Sequence, residues 1–488
     1  MIMIRDVARL TARTFDVLVV GGGIYGLTIA YDCAQRGLAV ALIERGDFGS
    51  GASFNHLRTI HGGLRYLQTL DIARARESVH ERRTFARIAP DALHLQPFVL
   101  PLLQSSRSPM RGKTAMRAGF VLDRLVAFDR NRDVPAGLRV PAGAVLSRAD
   151  AIRRFPELDA NDKDLTGAAV WYDYVSTESD RLTFSFALAA TAHGAQLANY
   201  VEAVAPLVEA TRVTGVRAVD AQSGRTIEIG ARVTVNAAGA GVNRWLGAVG
   251  AVGDLSPVPL LNAMNLVTCR EAGRAAIGGR AASGRNLFLV PWRNRALFGT
   301  WESDRLCDAD AASVTDAEVM TFIAEINQAF PSLALTLADV TLVHRGLVPA
   351  RAGGDQRVEL ERHERIDDRH HGLITVAGTK YTTARAVAQR ITDLVFAKLG
   401  RSPVPCHTAT TPLPYKPDVE ILEATRDEMV VTLADAIVRR TPLGALGFPG
   451  DVAVARAAGI VGAALGWSVE RTQQEVRDVR RFYAPLTP

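Results

Sequence analysis

Cysteine is scarce: Cys33, Cys269, Cys307 and Cys406 are the only four in 488 residues. They stand far apart without metal-ligand spacing, so neither a disulfide framework nor a metal site is expected, and a reducing, cytoplasmic compartment is. Long apolar runs are also missing. No segment approaches the ~20 apolar residues of a membrane-spanning helix, and the opening MIMIRDVARLTARTFD has no continuous stretch to act as a secretory signal. Aromatic residues are only 6% of the chain, and no basic array interleaved with them suggests nucleic acid. Repeats and low-complexity segments are absent. What is present is a globular balance of 48% apolar and 22% charged residues, in a chain too long for one hydrophobic core. Two or three domains are therefore expected. The net charge of +6 is spread thinly and reads as solvated surface, compatible with anionic substrates or an acidic membrane face.

One stretch carries specific chemistry. FDVLVV is an apolar, β-branched run that leads directly into Gly21, Gly23 and Gly26 in G-x-G-x-x-G spacing. IYGLTIAYDCAQRG then has helical periodicity and stops at Gly37, and LAVALIE reads as a second strand ending in Glu44. In this order the glycines admit a pyrophosphate, the helix N-terminus faces its charge, and the carboxylate takes the ribose hydroxyls. Glu44 would repel a 2'-phosphate, which disfavours NADP and leaves FAD and NAD.

The next segment, ERGDFGSGASFNHLRTIHGGLRYL, separates these two. A nicotinamide enzyme usually continues into another βαβ unit, whereas a long loop of small residues suits a flavin lying along the chain. ARVTVNAAGAG is a further strand running into a small-residue turn at Ala238 and Gly239, and GLITVAGTKYTTARAVAQRI places Gly378, Lys380, Tyr381 and Thr382 at the start of a helix.

Together with VPWRNRALFGT and CHTATTPLP, the stretches GDFGSGAS, IHGGLRYL and GTKYTTAR make the chain resemble the FAD-dependent glycerol-3-phosphate dehydrogenases. These belong to the D-amino-acid-oxidase-type, glutathione-reductase-like flavoproteins. The resemblance implies an α/β fold: a Rossmann-like FAD-binding domain, an interleaved and mostly antiparallel β-sheet substrate domain, and a small C-terminal helical domain. The first would span 1–413, interrupted by insertions at about 90–190 and 255–350, and the last 414–488. Every expected flavin contact precedes Pro414, so the core is expected to hold FAD without the tail.

Carried over residue by residue, the resemblance implies cofactor contacts at Gly21, Gly23, Ile24, Gly26, Glu44, Arg45, Ser53, Arg58, His61, Gly62, Gly63, Leu64, Val204, Ala238, Gly239, Gly378, Lys380, Tyr381 and Thr382. It implies substrate or catalytic roles for His61, Arg65, Tyr66 and Lys380. The types suit the reaction, since oxidising a secondary alcohol requires a proton acceptor beside the hydride donor and cations for an anionic substrate.

Two positions depart from the family pattern. Its G-S-H stretch, whose histidine is proposed as the base, reads LLNAMNLVTCR here, with Asn265 at that place, and its G-V-R-P-L arginine is replaced by Val348 in RGLVPAR. Asparagine cannot take a proton and valine cannot bind phosphate. His344, Arg345 and Arg351 flank the second departure, and His344 is the candidate replacement base. The expected function is an FAD-dependent dehydrogenase of glycerol 3-phosphate or a related anionic alcohol that passes electrons to a quinone or other acceptor. It would be cytoplasmic, with a peripheral contact on the inner face of the membrane and possible self-association. The alternatives are an amine or amino-acid oxidase, and a non-catalytic FAD-binding protein.

Overall fold

The structure is a computed structural model that describes residues 2–104, 112–158, 161–244, 257–309, 314–352 and 358–484. The expected segment boundaries at 255 and 488 lie outside the described residues. The strand Phe15–Val20 is central in the first sheet, flanked in parallel by Val40–Ile43 and Thr226–Asn236. Burial on both faces explains its unbroken apolar run from Val17 to Val20. Gln196–Ala198 extends one side, Leu373–Ala377 extends the other, and Arg365–Asp367 adds an antiparallel edge. Because the inner strands are parallel, Gly21, Glu44, Ala237 and Gly378 all emerge at one edge of the sheet, where ligands of such folds collect.

Among the described residues the second sheet has ten strands, antiparallel except where Ala276–Arg280 pairs with Leu93–Leu103. Both expected insertions contribute to it. The first insertion closes at Ser176, earlier than the expected 190: the helix Ser179–Ala192 turns Leu182, Phe184 and Phe186 into the core behind the nucleotide-binding helix Ile24–Gln35. Apolar demand on that helix assigns it to the first sheet.

The chain ends in the helices Ile421–Asp427, Asp451–Leu465 and Val469–Tyr483. This region is fastened to the nucleotide domain by buried charge. Asp47, three residues beyond Glu44, accepts hydrogen bonds from Arg440 at 2.6 and 2.8 Å and from Arg439 at 2.6 Å, and Arg181 forks onto Glu428 at 2.5 and 2.9 Å. Burial opposes ionisation of Asp47, but the two guanidinium groups prevail and hold its pKa down at about 2. The expectation of a core independent of its tail does not fit these contacts, because a cut near Pro414 strips the partners from two buried charges.

Candidate active site

A cavity of about 1640 Å³ runs from the Gly-rich turn to the second sheet. That exceeds the roughly 300–1,000 Å³ of a pocket for one drug-sized ligand and leaves room for a dinucleotide plus a second molecule. At the turn, Gly21 has φ +108°, and a Cβ there would stand 2.5 Å from the Ala237 carbonyl oxygen; one on Gly26 would strike the Gly21 oxygen at 1.8 Å. These two glycines are required by the backbone itself. At Gly23 an added Cβ would meet only Ser53 Oγ, at 3.2 Å, so nothing rigid in the protein demands glycine there. What it keeps open is the cavity, at the N-terminus of the helix Ile24–Gln35, as a pyrophosphate needs.

Glu44 accepts the Gly22 N–H at 2.6 Å on one oxygen and the Gly46 N–H at 2.8 Å on the other. Each oxygen keeps a lone pair for a ribose hydroxyl. Ser53 Oγ accepts the Ile24 N–H at 2.9 Å. Arg45, Gly63, Leu64, Ala238, Gly239, Gly378, Tyr381 and Thr382 also line the cavity. The residues present fit an ADP-bearing flavin.

On the far side the geometry centres on His61. Its Nδ1 lies 3.2 Å from Asp173 Oδ2, while Asp173 Oδ1 accepts the Gly62 N–H at 2.7 Å and Arg82 at 2.6 Å. Burial pushes the Asp173 pKa up, but the His61 hydrogen bond and the Arg82 guanidinium outweigh it, and the net shift is down. An ionised Asp173 favours the tautomer with the proton on Nδ1, which leaves Nε2 of a half-exposed ring as the proton acceptor. The loop carrying Lys380 is held beside it: the His61 N–H donates to Thr382 Oγ1 at 3.1 Å, and Tyr25 OH donates to the Lys380 carbonyl at 2.9 Å. Arg65 and Tyr66 complete this end of the cavity.

Lys380 is mostly out of water, and burial, aided by the Arg65 charge and opposed by Glu302, lowers its pKa to about 7. The unfolded chain therefore holds an extra proton between about pH 7 and 10.5, so the stability cost of Lys380 is complete below 7 and fades as the pH rises towards 10.5. Lys380→Met is accordingly expected to raise the melting temperature of the cofactor-free protein at pH 7 by about 2 °C, and the gain should vanish near pH 10. A lower Tm at pH 7 would place the amine in a stabilising contact instead.

Five expected site residues lie elsewhere, the first being Gly26, which packs on the Gly21 carbonyl and does not line the cavity. Arg58 is fully buried, donating to Ser179 Oγ at 2.6 Å and Asp180 at 3.1 Å with its guanidinium over the Trp292 ring, so it braces the loop from behind. Gly62 is packed on Arg82, where a Cβ would sit 2.2 Å from Nη1, and it faces away from the cavity. Val204 is the unpaired residue of a β-bulge between Ala203 and Ala205 and points to solvent; Val201, Glu202 and Ala203 line the cavity in its place. His344 has no exposure and packs edge-on against Phe54 and Trp292, with burial and the Arg58 charge keeping its pKa well below normal. It is outside the cavity and cannot be the replacement base. Arg351 pairs with Glu359, and Arg345 lines a separate, smaller cavity.

Asn265 and Val348 do face the cavity, so the two departures are genuine changes to its wall. Asp173, Arg82, Tyr25 and Glu302 escaped the sequence reading. Asp173 lies 112 residues from His61, and no spacing rule joins them.

A glycine cradle with an acid at the next strand's end on a parallel sheet, opening onto an antiparallel sheet with a carboxylate-held histidine, defines a nucleotide-dependent oxidoreductase. The chain belongs to the FAD dependent oxidoreductase family, whose family model matches residues 16–394. FAD is its cofactor. The glycerol-3-phosphate dehydrogenase of Synechocystis sp. is 30% identical over 431 residues, covering 84% of this chain and 75% of that protein. That of Mycobacterium leprae is 31% identical over 395 residues, and the alignment spans 80% of this chain but only 64% of the relative. The fold is similar to a glycerol-3-phosphate dehydrogenase from Bacillus halodurans complexed with FAD, with a TM-score of 0.75 over 99% of this chain and 98% of that one at 22% identity. Among the described residues no helix is long and apolar enough to cross a membrane.

Proposed function

We propose that the protein oxidises glycerol 3-phosphate or a related anionic secondary alcohol, the hydride passing to flavin N5 and the electrons onward to a quinone or other acceptor. The observation that carries this reading is the Asp173–His61 pair facing the same cavity as Arg65 and Lys380, next to the dinucleotide cradle. When bound, FAD supplies the two-electron oxidant. His61 Nε2 takes the hydroxyl proton, Asp173 fixes the ring and stabilises its charge, and Arg65 with Lys380 orients the anionic group. A peripheral contact with an anionic membrane face and self-association are compatible with the net charge of +6 and belong to this proposal.

The test is anaerobic mixing of the holoenzyme with a panel of phosphorylated and unphosphorylated alcohols and amino acids, followed by flavin bleaching. Arg65→Ala is expected to keep FAD and to slow bleaching at least ~10-fold, the worth of one charge-assisted contact. Because Asn265 and Val348 occupy the cavity wall, glycerol 3-phosphate should be a poor substrate, improved by Asn265→His with Val348→Arg. Ordinary efficiency of the natural protein on glycerol 3-phosphate would refute the altered pocket. The same two residues favour a second reading, an amine or amino-acid oxidase, which would announce itself by amino-acid-driven bleaching and hydrogen peroxide under air. Flavin that nothing on the panel reduces would point to the non-catalytic reading.

A further inference from the structure

The wall of the cavity that adjoins His61 is aromatic. Phe98, Trp171 and Phe288 come from three strands, Leu93–Leu103, Leu165–Ser176 and Asn286–Trp292, and all three line the cavity. Phe98 stacks on Trp171 with centroids 5.7 Å apart, and Phe288 meets the two edge-on at 5.6 and 6.1 Å. Trp171 stands two residues before Asp173 on one strand, so both project to the same face, and the His61 ring is 6.1 Å from Phe98. The apolar wall therefore begins at the proton acceptor itself. Leu64, Leu100 and Met116 continue it away from the cradle.

A bare three-carbon phosphate ester has no apolar surface to set against such a wall. An apolar lining with a few convergent polar groups is how proteins hold ligands that have both a body and a charged head. Beside Lys380 the charged lining is Arg65 with Glu302 opposing both, Arg280 and Asn286 lie past Phe288 at the end of its strand pair, and Val348 removes the further arginine of the family pattern. We infer that the substrate is an anionic secondary alcohol whose body is an alkyl chain or aromatic ring seated on Trp171 and Phe288, with the buried Phe98 backing them. This rests on the reading of the cavity as an oxidising site. The head is a carboxylate or a phosphate ester, and both heads are anions that Arg65 can hold.

Binding can be measured apart from turnover. The holoenzyme is titrated calorimetrically with two eight-carbon ligands, 2-hydroxyoctanoate and 2-hydroxyoctyl phosphate, and two three-carbon ones, lactate and glycerol 3-phosphate. Each buried methylene is worth about fourfold in affinity, so the longer ligand of a pair sharing one head is expected to bind at least ~10-fold tighter even when only part of its chain is covered. Trp171→Ala should reduce that ratio at least ~5-fold and Trp171→Phe should largely restore it, since the contact is an aromatic face. Should Trp171→Ala not fold, Met116→Ser, on a half-exposed helical position, reads the same ratio. Equal affinity for long and short ligands, or a ratio unmoved by these substitutions, overturns the inference and leaves the oxidase chemistry standing. Tight binding of the long ligands without flavin bleaching sinks the oxidation reading and leaves the apolar seat intact.

Discussion

His61→Asn is expected to lower the rate of substrate-driven flavin reduction by ~10²–10⁴-fold, the usual contribution of a positioned base, while FAD remains bound. The cofactor is spared because the cradle of Gly21, Gly23 and Glu44 lies at the other end of the cavity and because the bond from residue 61 to Thr382 uses the backbone N–H, which asparagine retains. Asp173→Asn should cost less, since the ring survives with its tautomer no longer enforced. Anaerobic stopped-flow bleaching measures both. A His61→Asn enzyme within about threefold of the natural rate would show that the proton leaves by another route and would dissolve the role given to the Asp173 pair.

The second large effect concerns Arg440, which has no exposed surface and forks onto Asp47 at 2.8 and 2.6 Å. Arg440→Ala leaves a buried carboxylate short of its main partner, a defect of about 3–5 kcal/mol. Arg439 stays on one oxygen, which makes the lower end of that range the better guide. The expected result is a protein that releases FAD at lower temperature and in lower urea than the natural one, and a chain cut near Pro414 that is not soluble. A soluble truncated protein that retains flavin would refute the dependence of the nucleotide loop on the C-terminal region.

The parallel sheet was legible in the sequence because the physics that makes it is local. Strand, glycine turn, helix and acid follow one another within about thirty residues, and Gly21 and Gly26 each answer to a nearby backbone atom. The loop of residues 56–66 was legible as a unit but not residue by residue. Alternating neighbours serve opposite sides: His61 faces the cavity, whereas Arg58 and Gly62 face the protein behind it. No periodicity announces that division in an irregular segment. His344 was the reverse error: a histidine near a lost functional position reads as a candidate base, and only the rings of Phe54 and Trp292 around it show that it is buried. Asp173 was invisible because its meaning comes from a pairing across 112 residues.

The bond between Asp47 and Arg440 also imposes an order in time. The two residues are 393 positions apart, so at ~5–20 residues per second a ribosome needs about 20–80 s to deliver the second after the first. For that interval Asp47 in the loop beyond Glu44 lacks both of its guanidinium partners and has only the Asn199 amide, at 3.1 Å, to close on. A chain released before Arg439 is therefore expected to load FAD poorly and to be cleaved by protease more readily than the full-length protein.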